Sequence, residues 1–221
     1  MKKKLLLKSK LSFKLYLFFF SLKHRFFIKK KTYSQFGEDL IIDSFFGDYI
    51  GKYVDIGCYN PIKYSNTALL HKKGWKGINI DLNPTSIDFF NSCRKDDQNI
   101  LACLSDKKEK VTIFFESEFS ALNSVNLENS KNFKINQVKK IETETQIFSD
   151  LVKDRFDFLN IDCEGNDYKI LKSINLKYYS PKLISIEVSE ENKIDIYNYL
   201  NLNGYELLEI KSLSHIFKKE S

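Results

Sequence analysis

From Thr32 onward, short runs of consecutive apolar residues alternate with stretches whose apolar positions recur every three or four residues. The runs fit strands buried on both faces, and the periodic stretches fit helices laid against them. This alternation predicts an α/β domain with a mostly parallel sheet. Strands are expected at Lys52–Ile56, 77–80, 99–104, 110–115, 156–161 and 183–188, with a closing antiparallel pair at 205–210 and 215–217. Helices are expected at 38–46, at 66–73 with Gly74 as its C-terminal cap, after Pro84, at 166–174 and at 190–202, with a short one ending over 149–152. The stretch 118–140 is polar and aperiodic and reads as a loop-rich excursion near the site.

The first 31 residues break the pattern. They hold 11 of the 35 basic residues and no acid, whereas the remaining 24 basic residues face 29 acids. The domain proper, residues 32–221, is therefore mildly acidic, which argues against a nucleic-acid-binding catalytic unit. Within the extension, the apolar run 15–22 is far short of the roughly 20 residues a bilayer span needs. No small-residue cleavage site follows it, as a secretory signal would require. Leu11, Leu15, Phe18, Phe19, Leu22 and Phe26 recur at helical spacing, with Lys10, Lys14, Ser21 and Arg25 elsewhere on the wheel. That is a basic amphipathic helix suited to peripheral contact with an anionic membrane. A helix packed on the domain or on a partner is the plainer reading. Cys58, Cys93, Cys103 and Cys163 show neither C-x-x-C pairing nor a histidine at metal spacing, so reduced thiols in a cytoplasmic protein are expected.

Three strand ends carry candidate chemistry. At Val54-Asp55-Ile56-Gly57 a buried strand ends in an acid and a glycine, the way a Rossmann-like sheet offers its backbone to a nucleotide-like ligand. A pyrophosphate cofactor would want G-x-G-x-x-G, but Gly57 stands alone before Cys58-Tyr59-Asn60-Pro61, which counts against an NAD-dependent oxidoreductase. The next strand ends in Asp81, 26 positions on, where an acid can accept both ribose hydroxyls of an adenosine ligand; capping the following helix is the structural alternative. At Ile161-Asp162-Cys163-Glu164-Gly165 two carboxylates sit at a strand's carboxyl end. There they can position an acceptor hydroxyl, act as base or hold a divalent cation, or Glu164 can cap the next helix.

The chain resembles the FkbM-type S-adenosylmethionine-dependent methyltransferases. The matching strings are Tyr33-Ser34-Gln35-Phe36-Gly37-Glu38-Asp39, Val54-Asp55-Ile56-Gly57 and Ser65-Asn66-Thr67. They continue with Gly74-Trp75-Lys76-Gly77-Ile78-Asn79-Ile80-Asp81, Ser105-Asp106, Ala121-Leu122-Asn123, Ile161-Asp162-Cys163-Glu164-Gly165 and Pro181-Lys182-Leu183-Ile184-Ser185-Ile186-Glu187. Their order is the family's, and they span roughly residues 32–219 but not the basic extension. The resemblance implies a Rossmann-like seven-stranded sheet with helices on both faces. It also implies a cofactor pocket with Asp55 and Gly57 near the methionine part, Asp81 on the ribose, and Ser105 and Asp106 near the adenine. Gln35 and Glu38 would lie over the cofactor, Ser65 and Asn66 beside it, and Asp162 would border both cofactor and acceptor. O-methylation of a sugar, glycan-linked or secondary-metabolite hydroxyl is the implied activity, and the bulky Cys58-Tyr59-Asn60-Pro61 loop departs from glycine-rich methyltransferase loops.

In such a reaction the sulfonium already activates the methyl group, so the protein mainly aligns donor and acceptor, which can supply about 7–11 kcal/mol. An acceptor hydroxyl also needs a base or a metal for its proton. Asp162, Glu164 and Glu187 are the candidate catalytic residues, with no metal ligand set assigned; His71 and His215 are weaker candidates. The competing reading from another class is a non-catalytic cofactor- or partner-binding protein on the same fold.

Overall fold

The computed structural model describes residues 10–27, 31–115 and 139–220. Chain order within its large sheet begins with β1 (Lys52–Ile56), β2 (Lys76–Asp81) and β3 (Gln98–Leu101). It continues with β7 (Phe158–Ile161), β8 (Leu183–Glu187), β9 (Tyr205–Lys211) and β10 (Ser214–Lys219). The spatial order is β3-β2-β1-β7-β8-β10-β9, parallel except that β10 runs antiparallel to both neighbours. The expected seven-stranded sheet with its antiparallel end is thus present. Strand order reverses between β1 and β7, and open α/β sheets bind ligands in the crevice beyond the carboxyl ends at such a point.

Strand period sorts the side chains onto two faces. Val54, Ile56, Ile80, Leu159, Ile161, Ile184 and Ile186 form one core with Ile170 and Leu171 of α6 (Asp167–Ser173) and Ile196 and Leu200 of α8 (Lys193–Leu202). The other face carries Tyr53, Phe158, Leu183 and Ile216 against Ile42 and Phe46 of α2 (Glu38–Phe46), Leu70 of α3 (Ala68–Lys72) and Trp75. Towards the site this second face turns polar, with Asp55, Asn79, Asn160 and Ser185 all buried. A buried arginine at the end of α4 (Pro84–Cys93) satisfies part of that layer.

Several boundaries differ from the sequence expectation. The strand expected at 99–104 is two: it breaks at Ala102, whose N–H turns to the carbonyl of Asp81 (3.0 Å). β4 (Cys103–Ser105) then joins a second sheet of order β4-β6-β5, with β5 at Lys110–Phe115 and β6 at Lys139–Ile147. That sheet was not expected, although β6 alternates Ile141, Thr143, Thr145 and Ile147 with charged or polar residues. Most of the loop-rich stretch expected at 118–140, and the Ala121-Leu122-Asn123 string with it, lies outside the described residues. The helix expected from residue 66 starts at Ala68 because Asn66 and Thr67 spend their side chains on the sheet. The helix expected from residue 190 starts at Lys193, after a turn in which Asn192 N–H bonds the Ser189 carbonyl. A one-turn helix, α5 (Phe148–Leu151), precedes β7, and another, α7 (Leu176–Tyr179), follows α6.

The amphipathic N-terminal segment does form a helix, α1 (Lys10–Phe27). Phe13, Tyr16 and Phe20 hold it edge-on against Phe89 of α4, with ring centroids 6.4, 6.0 and 4.7 Å apart. Phe20 also packs on a small cluster of Tyr33, Ile62 and Ala68. Among the described residues no helix is long and apolar enough to cross a membrane.

Candidate active site

At the switch point the chain leaves β1 at Gly57, held between the neighbouring strands. Its N–H bonds the Ile80 carbonyl of β2 (2.9 Å), while Asp162 N–H beyond β7 bonds the Ile56 carbonyl (3.0 Å). Gly57 takes φ 76°, and a Cβ there would run into the Asp162 carbonyl. Two cavities meet over it. One, of about 590 Å³ including space open to solvent, is walled by Ile80, Leu82, Ala102, Cys103 and Leu104 and carries the Asp81 carboxylate. The other, about 530 Å³ on the same measure, is lined by polar groups including Gln35, Asp55, Ser65, Asn66 and Asn160. Gly57, Tyr59, Asp162 and Glu164 border both.

Asp81 sits where the chain leaves β2 for α4. Its Oδ2 accepts Tyr59 N–H (2.8 Å) and its Oδ1 accepts Asn83 N–H (2.7 Å). The helix cap is Asn83, whose Oδ1 accepts Thr85 N–H, so capping does not fall to Asp81. The Ser86 side chain is a third partner, and a carboxylate has about four acceptor sites, so a ligand hydroxyl takes the remaining one and a second must displace Ser86. Asp55 is deeper: Oδ2 accepts from Thr67 Oγ1 (2.6 Å) and Oδ1 from Asn160 Nδ2 (2.9 Å). Asn66 Nδ2 donates to the side-chain Oδ1 of Asn160 at 2.9 Å. The loop between them turns on Asn60, whose Oδ1 accepts the amides of Ile62 and Lys63. Tyr59 and Tyr64, both at positive φ, lie at its rim with rings 6.5 Å apart.

Gln35, Asp55, Gly57, Ser65, Asn66, Asp81, Asp162 and Glu164 therefore line the joined cavities. Glu38 is buried at the start of α2, accepts Phe36 N–H at 2.7 Å and is a near charge to Asp162. Ser105 and Asp106 lie just past the wall formed by Ala102, Cys103 and Leu104; Ser105 donates to Asp106, which pairs with Lys169. Glu187 sits at the tip of β8 and is hydrogen-bonded to Asp162. Sequence reasoning gave no role to Asn160, which lines the polar cavity, nor to Arg94 and Asp167. Arg94 donates to Tyr53, Thr67, Ser65 and the Pro61 carbonyl, pinning the 61–67 loop to the sheet. Asp167 accepts Cys163 N–H (2.7 Å) and Gly165 N–H (3.0 Å), which closes the turn between β7 and α6. Neither histidine faces the crevice as a free base: His215 Nδ1 engages Tyr197, and His71 stands near Lys76 and Asp96 at the opposite strand ends.

Residues 55–207 match the methyltransferase FkbM domain, well over half of the chain. The chain belongs to the FkbM methyltransferase family. An FkbM methyltransferase from Methylobacillus flagellatus KT superposes with TM-score 0.51 at 13% identity, over 76% of this chain and 43% of that one. The ribosomal protein L11 methylase of Lactobacillus delbrueckii subsp. bulgaricus superposes with TM-score 0.51 at 8% identity, over 83% and 78% of the two chains. At such identities the likeness is one of fold. No curated protein matches the chain. The family supports methyl transfer dependent on S-adenosylmethionine.

Electrostatically, this FkbM methyltransferase concentrates acids at its strand tips. Burial pushes Asp81 and Asp167 up to about 6. Burial, then the Asp162 and Asp167 charges, pushes Glu164 up to about 7. Burial, then Asp167 and Glu164, pushes Glu187 up to about 8. Asp162 is raised well above the carboxylate range, first by desolvation and then by Glu187, Asp167, Asp55 and Glu38. As a residue it is exposed because it lines an open crevice, yet protein crowds its carboxyl; water in the crevice weakens the desolvation, and the direction stands on the ring of acids. Among the described residues no group of three or more His, Cys, Asp and Glu could hold a metal ion.

A folded state that keeps protons the unfolded chain has lost is destabilised as pH rises. Glu164 and Glu187 confer that behaviour between their ordinary value of 4.5 and their raised values. Half-buried His71, lowered to about 4 by desolvation, acts oppositely, with stability lost as pH falls. A window above the ordinary histidine value isolates the acids. From about pH 6.5 to 8.5 the Tm of the ligand-free protein is expected to fall by about 3–6 °C. Glu187→Gln should flatten that slope in a calorimetric scan; a wild-type Tm that holds or rises would show the acids to be ionised throughout.

Proposed function

We propose that the protein methylates a hydroxyl oxygen of a sugar, glycan-linked or secondary-metabolite acceptor, with S-adenosylmethionine as donor, in the cytoplasm. What carries the reading is two cavities of opposite character meeting at Gly57, with Asp81 in the apolar one and the carboxylates Asp162 and Glu164 where they join. The donor set fits the cofactor. The wall of Ile80, Leu82, Ala102, Cys103 and Leu104 suits an adenine ring, Asp81 suits the ribose hydroxyls, and the Gln35, Asn66 and Asn160 amides suit an amino-acid moiety. When bound, S-adenosylmethionine supplies a methyl group activated by its sulfonium. A dinucleotide fits poorly, because no helix opens at Gly57; the chain instead runs through a loop to a five-residue helix beginning at Ala68. The four cysteines are free, in keeping with a reducing compartment.

In this reading Asp162 and Glu164 orient the acceptor hydroxyl and take its proton. Raised proton affinity makes Glu164, pushed up to about 7, a stronger base than a solvated carboxylate, and a base poised near the working pH is the most effective. Glu187, bonded to Asp162, tunes that carboxyl and can share its proton. Calorimetry with S-adenosylmethionine, S-adenosylhomocysteine and NAD in parallel tests the donor, and binding of NAD alone refutes it. Labelled-methyl transfer to a panel of hydroxylated sugars and metabolites tests the base. Asp162→Asn and Glu164→Gln are expected to keep donor affinity while lowering turnover about 10²–10⁴-fold. Unchanged turnover in both would remove them from the chemistry.

A further inference from the structure

We propose that the outward face of α1 is a docking surface for an anionic phospholipid bilayer. One face of α1 is already used, since Phe13, Tyr16 and Phe20 meet Phe89. The other presents Leu11, Leu15, Phe18 and Phe19, which are 68%, 51%, 57% and 64% exposed. Their spacing of four, three and one residues puts them on a single stripe along the helix. A contiguous stripe of large apolar side chains on a soluble surface marks a contact to be made.

Charge selects the partner. The sequence of α1 includes Lys10, Lys14, Lys23 and Arg25 and no acid, and residues 1–31 carry 11 basic residues and no acid. A second copy of the same face would set like charges against each other, whereas an anionic headgroup layer complements them and accepts the leucine and phenylalanine side chains beneath. Anchored flat by its inner face, α1 lies along the domain. Phe20 packs with Ile62, in the loop that carries Tyr59 and Tyr64 over the cavities. Docking through the outer face therefore brings the crevice mouth near the lipid surface, where a membrane-linked acceptor hydroxyl would be presented. The docking itself does not depend on the methyl-transfer reading.

The full chain is sedimented with vesicles of phosphatidylglycerol mixed with phosphatidylcholine and, separately, with phosphatidylcholine alone. Binding is expected to the first, weakly or not at all to the second, and to weaken as salt is raised. Leu15→Ser/Phe18→Ser/Phe19→Ser is expected to lower partitioning at least about tenfold. These side chains are exposed, so the variant should melt and bind S-adenosylhomocysteine like the wild type, which separates a failed docking from a failed active site. Absence of binding to anionic vesicles, or equal binding by the variant, overturns the proposal. So does light scattering that shows a dimer dispersed by the triple variant, which would make the stripe a self-interface.

Discussion

Replacing Asp81 with alanine is expected to weaken binding of S-adenosylhomocysteine at least about a hundredfold, since two hydrogen bonds to a charged acceptor are worth roughly 1.5–3 kcal/mol each. The side chain does two things at once. It leaves acceptor capacity facing the apolar cavity, and it holds the amides of Tyr59 and Asn83 on either side of that cavity. Alanine removes both, so the loop after β1 and the entry to α4 each lose a tether. Asp81→Asn separates the two roles, because its one carbonyl oxygen can keep part of the backbone framework but cannot present two acceptors. Asparagine should therefore preserve the Tm better than alanine while still losing most of the affinity. Titration calorimetry with melting curves on both variants reads this directly, and near wild-type affinity in Asp81→Ala would take the adenosine half of the site away from β2.

The strand tips were legible because their chemistry is local. An apolar run ending in Asp55 and Gly57, or in Asp81, states its own strand and the group at its end. Glu38–Phe46, Lys52–Ile56 and Lys110–Phe115 have the bounds that the pattern gives them. What was not legible depends on partners distant in sequence. Arg94 reads as a charged residue ending a helix, and only the folded layer of Tyr53, Ser65 and Thr67 explains why it is buried. Asp167 reads as a first-turn acid like any other, and its claim on the amides at 163 and 165 needs the turn to exist first. The break at Ala102 is invisible in the run 99–104 because every residue there tolerates a strand; it is set by distant partners, β2 for Gln98–Leu101 and β6 for Cys103–Ser105. In α1 the period gave the helix and its apolar stripe, but not the residues that hold it to the domain. Leu11, Leu15, Phe18 and Phe19 of that stripe face solvent, while Phe13, Tyr16 and Phe20, from outside it, make the contact with the domain. Periodicity says which residues share a face, and only packing says what covers it.

Gly57→Ala is expected to cost about 2–5 kcal/mol of stability, summing the left-handed backbone penalty and overpacking of a closed site. For a chain of this size that is a fall of roughly 5–15 °C in Tm. The estimate divides because the molecule contains a matched control. Gly204 has the same φ of 76°, but a Cβ there would meet nothing within 4 Å. Gly204→Ala therefore carries the backbone penalty alone, about 1–2 kcal/mol. At Gly57 the added carbon meets the Asp162 carbonyl, and neither side can retreat. The Gly57 amide is bonded to β2, and the Asp162 amide is bonded to the end of β1. Relief must come by parting β1 from β7 at their tips, which shifts Asp162 and Glu164 and reshapes both cavities together. Donor binding should thus be lost in Gly57→Ala and kept in Gly204→Ala when each is assayed below its own Tm. If the two variants lose equal stability and both keep the donor, the strand tips do not press against each other as described, and the cavities do not depend on a glycine between them.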